Sequence, residues 1–443
     1  MSPATPLSPA TTARVDELVA AAQAQGRTPS LILGVVRGGG LAHVAAAGDT
    51  PTPTPETQYR IGSISKTLTA TLVMRSRDAG RLALDDPLDK HLAGTPLGEL
   101  TVRQLLGHAS GLQREPDGPW WERAPGVPLE ELVAGLRPQA RILPGWRTFH
   151  YSNLAYGLLG GLVSALEGAS WMELVHDRLL APLGMTRTTY QCEEPYTRGY
   201  VVHPWHGTLR EEPRHDSGAM APAGQLWSTT ADLARWAAFL ADPPAEVLDP
   251  ATLEEMTAPV VISDPETWTG GYGLGLQLVR RGERVLVGHG GSMPGYQAFL
   301  GVHRGSGTGA VAYTNAYNAK PGLMALCGEV IDEVLDSEPA PAEPWRPGQA
   351  PPEELAELCG RWWFMGLEFE ITYQADTGEL VGTSHERPTV PPWRFRPEGT
   401  DRWRCVSGSN HGELMTVLRS PGGAVAGLDI ATFEFTRDPW PQL

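Results

Sequence analysis

Residues 337–352 read Ser-Glu-Pro-Ala-Pro-Ala-Glu-Pro-Trp-Arg-Pro-Gly-Gln-Ala-Pro-Pro. No helix or central strand runs through such a stretch, because each proline lacks an amide donor and fixes φ. The chain is therefore expected to build two cores, one from 1–336 and one from 353–443, joined by a Pro-rich linker over 337–352. At 443 residues it is long enough for both. The second part consists of short strand-like runs broken by Asp376-Thr377-Gly378 and Pro421-Gly422-Gly423. That pattern predicts a small antiparallel β-barrel or sandwich.

Within 1–336, apolar spacing sets out the elements. Val15, Leu18, Val19 and Ala22 recur at helical spacing before Gly26, which predicts a helix over 12–25. Ser30–Val36 and Leu41–Ala47 flank Gly38-Gly39-Gly40 and read as a β-hairpin. Thr101–Leu112 predicts a short capped helix running into a glycine turn, with His108 and Ser110 in structural places at its end. Helices are further expected near 129–136, after Asn153, over 170–180, after a Thr229 or Thr230 cap, and over 321–335. Strands are expected over 271–279, 283–287, 297–303 and 308–314. Loops rich in tryptophan, proline and glycine at 113–149 and 190–222 are expected to wall a cleft suited to an extended, largely apolar peptide.

Composition removes several functions. A formal net charge of −16 offers no basic surface to nucleic acid or an anionic membrane, so neither is expected as a partner. The first ten residues have neither a charged n-region nor an apolar h-region, and no apolar run is long enough to span a bilayer. Cys192, Cys327, Cys359 and Cys405 lack metal-ligand or disulfide-framework spacing. A cytoplasmic protein with buried free thiols, no metal and no other cofactor is the expectation.

The chemistry is carried by Tyr59-Arg-Ile-Gly-Ser63-Ile-Ser-Lys66-Thr-Leu-Thr-Ala70. Ser63 and Lys66 are three residues apart, so at a helix start both side chains share one face. A serine hydroxyl needs a neighbour to take its proton. A lysine can do this where desolvation lowers its pKa. The amides of a helix start add part of an oxyanion hole. Further along come Tyr151-Ser-Asn153 and Gly288-His289-Gly290-Gly291-Ser292-Met-Pro-Gly295.

Taken in order, with Leu106-Gly-His-Ala-Ser-Gly-Leu112, Pro182-Leu-Gly-Met185 and Tyr272-Gly-Leu-Gly275, these motifs give a chain whose first 335 residues resemble the serine β-lactamase/penicillin-binding-protein superfamily. The likeness is to its class C β-lactamase and esterase branch. The resemblance implies an α+β fold: an antiparallel sheet flanked by helices, an all-α lobe, and the site between them. It implies Ser63 as nucleophile, Lys66 as its base and Tyr151 as proton shuttle. It implies Asn153 as a side-chain amide that orients Lys66 and holds a substrate carbonyl. The oxyanion hole would be the Ser63 and Ser292 amides. His289, Gly290 and Gly291 would line the facing strand. One departure matters: His289-Gly290-Gly291 stands where most members carry Lys-Thr-Gly. Histidine is a weaker, pH-dependent cation for a substrate carboxylate, which points away from β-lactam hydrolysis.

With its length, early nucleophile and C-terminal β domain, expected as a lipocalin-like antiparallel barrel, the chain resembles the penicillin-binding-protein-type thioesterases. That likeness implies a serine acyltransferase that takes a nonribosomal peptidyl thioester from a carrier protein and releases it by head-to-tail macrocyclisation, favouring a D-configured C-terminal residue. The alternatives are a cytoplasmic esterase or D-stereospecific peptidase with water as acceptor, and a silent peptide-binding module. Trp362, Trp363, Trp393 and Trp403 offer more aromatic surface than a small barrel core needs, and Arg437, just past the last strand, is a candidate anchor for the peptide.

Overall fold

An eight-stranded antiparallel sheet is the spine of the first unit in this computed structural model, which describes residues 4–48, 52–339, 347–387 and 389–440. Its spatial order is Gly40–Gly48, Ser30–Arg37, Thr308–Thr314, Tyr296–His303, Arg284–Met293, Gln277–Arg281, Gly270–Tyr272, Val261–Ile262. The expected hairpin across Gly38–Gly40 is thus at one edge, and residues from the far end of the unit complete the sheet beside it.

Strand Ser30–Arg37 is buried on both faces, and its alternation sorts the two cores. Leu31, Leu33 and Val35 pack with Val15 and Val19 of helix Pro9–Gly26 and with Leu326 and Val330 of helix Leu323–Ser337. Ile32 and Val36 face the larger core on the other side. There, Gly34 lies against helix Thr230–Ala241: a Cβ at Gly34 would come within 2.5 Å of Thr230 Cγ2. Thr229 caps that helix, its hydroxyl accepting the Asp232 amide at 3.1 Å.

The helical lobe is built on Ser65–Asp78 and Asn153–Glu167. Every residue from Ser65 to Met74 is buried, so this helix has no solvent face over its first turns. Its threonines are satisfied internally: Trp236 donates its indole N–H to Thr67 at 2.8 Å and Trp171 to Thr69 at 3.0 Å. Among the described residues, no single helix is long and apolar enough to cross a membrane.

The chain parts into two compact units at residue 340. The second unit is an eight-stranded antiparallel meander from Gly360–Phe364 to Phe433–Phe435, each strand paired with the next. It closes on itself: Trp363 and Thr436 exchange backbone hydrogen bonds of 2.9 and 3.0 Å. Trp362 and Trp403 lie in its interior with Phe395, Met415 and Leu428, as a barrel of this size requires to be filled. Trp363 and Trp393 are half-buried, and Trp393 stacks on Phe369. Of the four tryptophans, two therefore fill the core and two lie outside it.

Arg437 is corrected too. Its guanidinium donates to the carbonyls of Arg361 (2.6 Å), Cys359 (2.9 Å) and Glu357, and lies 3.8 Å above the Trp362 ring. These donors tie the last strand back to the start of the barrel, so the side chain is a clamp within its own unit rather than a peptide anchor.

Candidate active site

The short strand Tyr59–Arg60 pairs with Trp227–Ser228, and the Ile61 amide donates to Leu226 at 2.9 Å. The chain then turns through Gly62 at φ +50° into a 3₁₀ turn, Gly62–Ile64, that runs directly into helix Ser65–Asp78. Ser63 is therefore delivered on a tight turn at a helix start. This turn lies hard against strand Arg284–Met293. A Cβ on Gly62 would be 2.4 Å from the Ser292 amide nitrogen, and one on Gly291 would be 3.3 Å from the Ser63 amide nitrogen. Only glycine allows both approaches. They bring together the two amides expected to hold the oxyanion.

Lys66 Nζ stands 2.9 Å from Ser63 Oγ and donates to the Ala223 carbonyl at 2.6 Å. The side chain is fully buried. Burial pushes the lysine down to about 7, against the opposing pull of Glu115 and Glu122. Near neutrality much of it is a free amine whose lone pair can face the serine hydroxyl. Its nitrogen lies 5.1 Å from the Tyr151 ring centroid and 5.5 Å from that of Tyr156. Burial raises the Tyr151 phenol, while the adjacent Ser63 hydroxyl works the other way. Tyr151 is thus a protonated phenol, fit to relay a proton; Lys66 is the base.

The expectation that Asn153 orients Lys66 is corrected. Asn153 Nδ2 donates to both carboxylate oxygens of Glu115, at 2.8 and 3.0 Å, and Asn153 Oδ1 is buried without a hydrogen-bond partner. The backbone of Ala223 orients the lysine instead. Asn153 lines the cavity with Ser63, and its buried oxygen retains unused acceptor capacity.

His108 is structural, though close to the chemistry. Buried at φ +54°, its Nδ1 accepts the Ser152 amide at 3.1 Å, and its ring lies 4.3 Å from that of Tyr151. The same Ser152 caps helix Asn153–Glu167 by accepting the Ala155 amide at 3.1 Å. One local arrangement thereby sets both Tyr151 and Asn153.

His289 lies on strand Arg284–Met293, opposite Leu300. Its Nδ1 contacts the Gly290 carbonyl and its Nε2 lies 2.7 Å from the Tyr272 hydroxyl. Nδ1 donates to the carbonyl, so Nε2 accepts from the phenol. Burial, then the proximity of Lys66, pushes this imidazole down to about 3. The expected pH-dependent cation is corrected: at physiological pH His289 is neutral.

The cavity at the nucleophile has a volume of about 590 Å³. One wall is Arg114, Glu122, Phe149 and Tyr151; the other is His289–Ser292, Gln297–Phe299 and Gly322–Ala325. Loop 113–149 contributes as expected. Loop 190–222 does not line this cavity: Tyr200–Val202 and Leu209–Glu211 form a separate hairpin. Sequence reasoning passed over Glu115, Glu122 and Ala223. Glutamates flanking the Trp120-Trp121 pair in a cleft-wall loop are the available signal for the first two. A backbone carbonyl leaves none.

A nucleophilic serine, a buried lysine of lowered basicity, a relaying tyrosine and two converging amides define a serine acyl-transfer site. The beta-lactamase family model matches residues 15–325, and the chain belongs to that family. A domain of unknown function (DUF7586) matches 351–437. The human relative beta-lactamase-like 1 is 29% identical over 346 residues, which are 74% of this chain and 67% of that protein. The crystal structure of a D-stereospecific amidohydrolase from Streptomyces sp. is 27% identical with a TM-score of 0.62, covering 73% of this chain and 98% of its own. SurE is 26% identical with a TM-score of 0.62 and covers 97% of this chain and 99% of its own, thus including the barrel unit. SurE was also solved with D-Leu.

Proposed function

We propose that this chain is a cytoplasmic serine acyltransferase that accepts a peptidyl thioester ending in a D-configured residue and releases it as a macrocycle. The observation that carries the acyl-transfer step is the contact of a buried, weakly basic Lys66 with Ser63 at 2.9 Å. Ser63 Oγ attacks the thioester carbonyl and its proton passes to Lys66. The oxyanion rests on the Ser63 and Ser292 amides, and the carbon–sulfur bond breaks as Tyr151 relays the proton to the leaving thiolate. The peptide's own amine then displaces Ser63. Preference for a D-residue is supported by likeness to a D-stereospecific amidohydrolase and to a protein solved with D-Leu. The thioester and the carrier protein that would deliver it rest on the resemblance in length, early nucleophile and C-terminal β domain to the penicillin-binding-protein-type thioesterases.

The amidohydrolase likeness favours a second reading in which water is the acceptor. One experiment separates the two. A peptidyl thioester with a free amino terminus is offered with a D- or an L-residue at its thioester end, and products are identified by mass. The proposal expects cyclic product from the D-epimer and slow hydrolysis when the amine is blocked. Equal rates of linear acid from free and blocked substrates would make the enzyme a hydrolase.

A further inference from the structure

We infer that Glu122 is the residue that receives a cationic nitrogen of the peptide substrate, its free amino terminus. The inference rests on the acyl-transfer reading above and adds to it the group that recognises the acceptor.

Glu122 lines the same cavity as Ser63, Tyr151 and Asn153, and its backbone is pinned on both sides. Trp121 is buried and donates its indole N–H to Glu115 at 2.7 Å; Arg123 donates to the buried Glu212 at 2.7 Å. The Trp121 ring also packs beside Gly224, next in sequence to the Ala223 whose carbonyl orients Lys66. A Cβ on Gly224 would lie 3.3 Å from that ring and 3.6 Å from the Gly62 carbonyl carbon. Glu122 is therefore held one residue away from a ring that packs beside Gly224.

Its neighbours are matched to partners and it is not. Arg114 pairs with Glu115 at 3.1 Å and Arg123 with Glu212. Among the described residues, the Glu122 carboxylate takes part in no such pair. Burial and the like charge of Glu115 push it up to about 7, with Lys66, Arg60 and Arg114 pulling the other way and the Tyr317 phenol also facing it. A carboxyl in that condition becomes fully anionic when a cation arrives, and an ammonium supplies the missing partner.

The step balances. The bound ammonium gives one proton to the Glu122 carboxylate, and the neutral amine attacks the Ser63 ester. The carbon–nitrogen bond forms as the carbon–Oγ bond breaks. The second N–H proton passes through Lys66 to the departing Ser63 oxygen, and Glu122 returns its proton to water.

The test compares kcat/KM for two peptidyl N-acetylcysteamine thioesters ending in D-leucine, one with a free amino terminus and one N-acetylated, on the full chain and on E122Q and E122D. Wild type is expected to prefer the free amine by about tenfold or more, the scale of a hydrogen bond to a charged group. E122Q should bring the ratio close to one and E122D should restore most of it. A ratio unchanged in E122Q, or no preference in wild type, overturns the inference. Product mass in the same reactions reads the acceptor separately. Linear acid made with the preference intact would sink macrocyclisation and leave Glu122 in its role.

Discussion

Lys66 is held to the Ala223 carbonyl at 2.6 Å, and that backbone oxygen does the orienting expected of the Asn153 side chain. A carbonyl can only accept, so it fixes one N–H of the lysine and turns the remaining face of the nitrogen toward Ser63. Asn153, released from that task, is fastened to Glu115 through its nitrogen, and its oxygen is left buried without a partner.

Removal of the nucleophile and its base should separate cleanly. S63A is expected to abolish both turnover and the mass shift of an acyl-enzyme. K66A and Y151F should each lose about 10²-fold or more in kcat/KM through loss of proton transfer. An acyl adduct on S63A would place the nucleophile elsewhere.

Lysine must be neutral to take the serine proton. With its midpoint at about 7, acylation should rise about tenfold per pH unit on the acid side and level off above neutrality. The carboxylates of Glu115 and Glu122 favour the protonated lysine and Arg114 disfavours it. E122Q, which deletes one of those negative charges, should therefore move the midpoint lower. A pre-steady-state pH profile reads both, and an unmoved or raised midpoint would contradict the assignment.

The neutral His289 offers no cation to a β-lactam carboxylate. Hydrolysis of a chromogenic cephalosporin should be slow, with no gain on going from pH 8 to 5, because the imidazole is held at about 3. Rapid hydrolysis at neutral pH would show that the drug is held by something else.

Gly62 has no room for a side chain. G62A forces a Cβ to within 2.4 Å of the Ser292 amide nitrogen at a φ of +50°. The turn or the strand must shift, and an oxyanion donor moves with it. The expected loss in kcat is about 10²–10³-fold, with substrate binding much less affected. Wild-type kcat in G62A would rule out this wall as the oxyanion hole.

Arg437 should matter for stability. R437A leaves carbonyls at the barrel seam without a cationic donor and uncovers Trp362, at a cost of roughly 1–3 kcal/mol. R437K should not restore it, since a single ammonium cannot reproduce the fork. Denaturation followed by tryptophan fluorescence checks this; unchanged midpoints would remove the clamp.

Much of this site was legible because its chemistry is local. Ser63 and Lys66 are one helical turn apart, and Tyr151 and Asn153 precede a helix whose cap, Ser152, lies between them. Legibility stopped where function depends on what folds against a residue. His289 reads as a titrating cation until its burial beside Tyr272 is known. Arg437 reads as an exposed charge until three carbonyls are seen around it. Ala223 acts through its backbone, which any residue would supply, and Glu115 meets Asn153 only in the tertiary structure. The β character of the second unit is legible as turn-punctuated runs, but neither the number of strands nor the pairing of residues 363 and 436 that closes them is.

That closure brings the two ends of the second unit's chain side by side. The polypeptide enters the barrel on strand Gly360–Phe364 and leaves after Thr436, which is hydrogen-bonded to Trp363 of that first strand. A short peptide could join those two points, and new ends could be opened at the glycine turn of Asp376–Gly378 or Pro421–Gly423 with every strand pair preserved. The barrel is thus expected to tolerate circular permutation at those turns, its strand order in space surviving a change in the order in which the ribosome makes it.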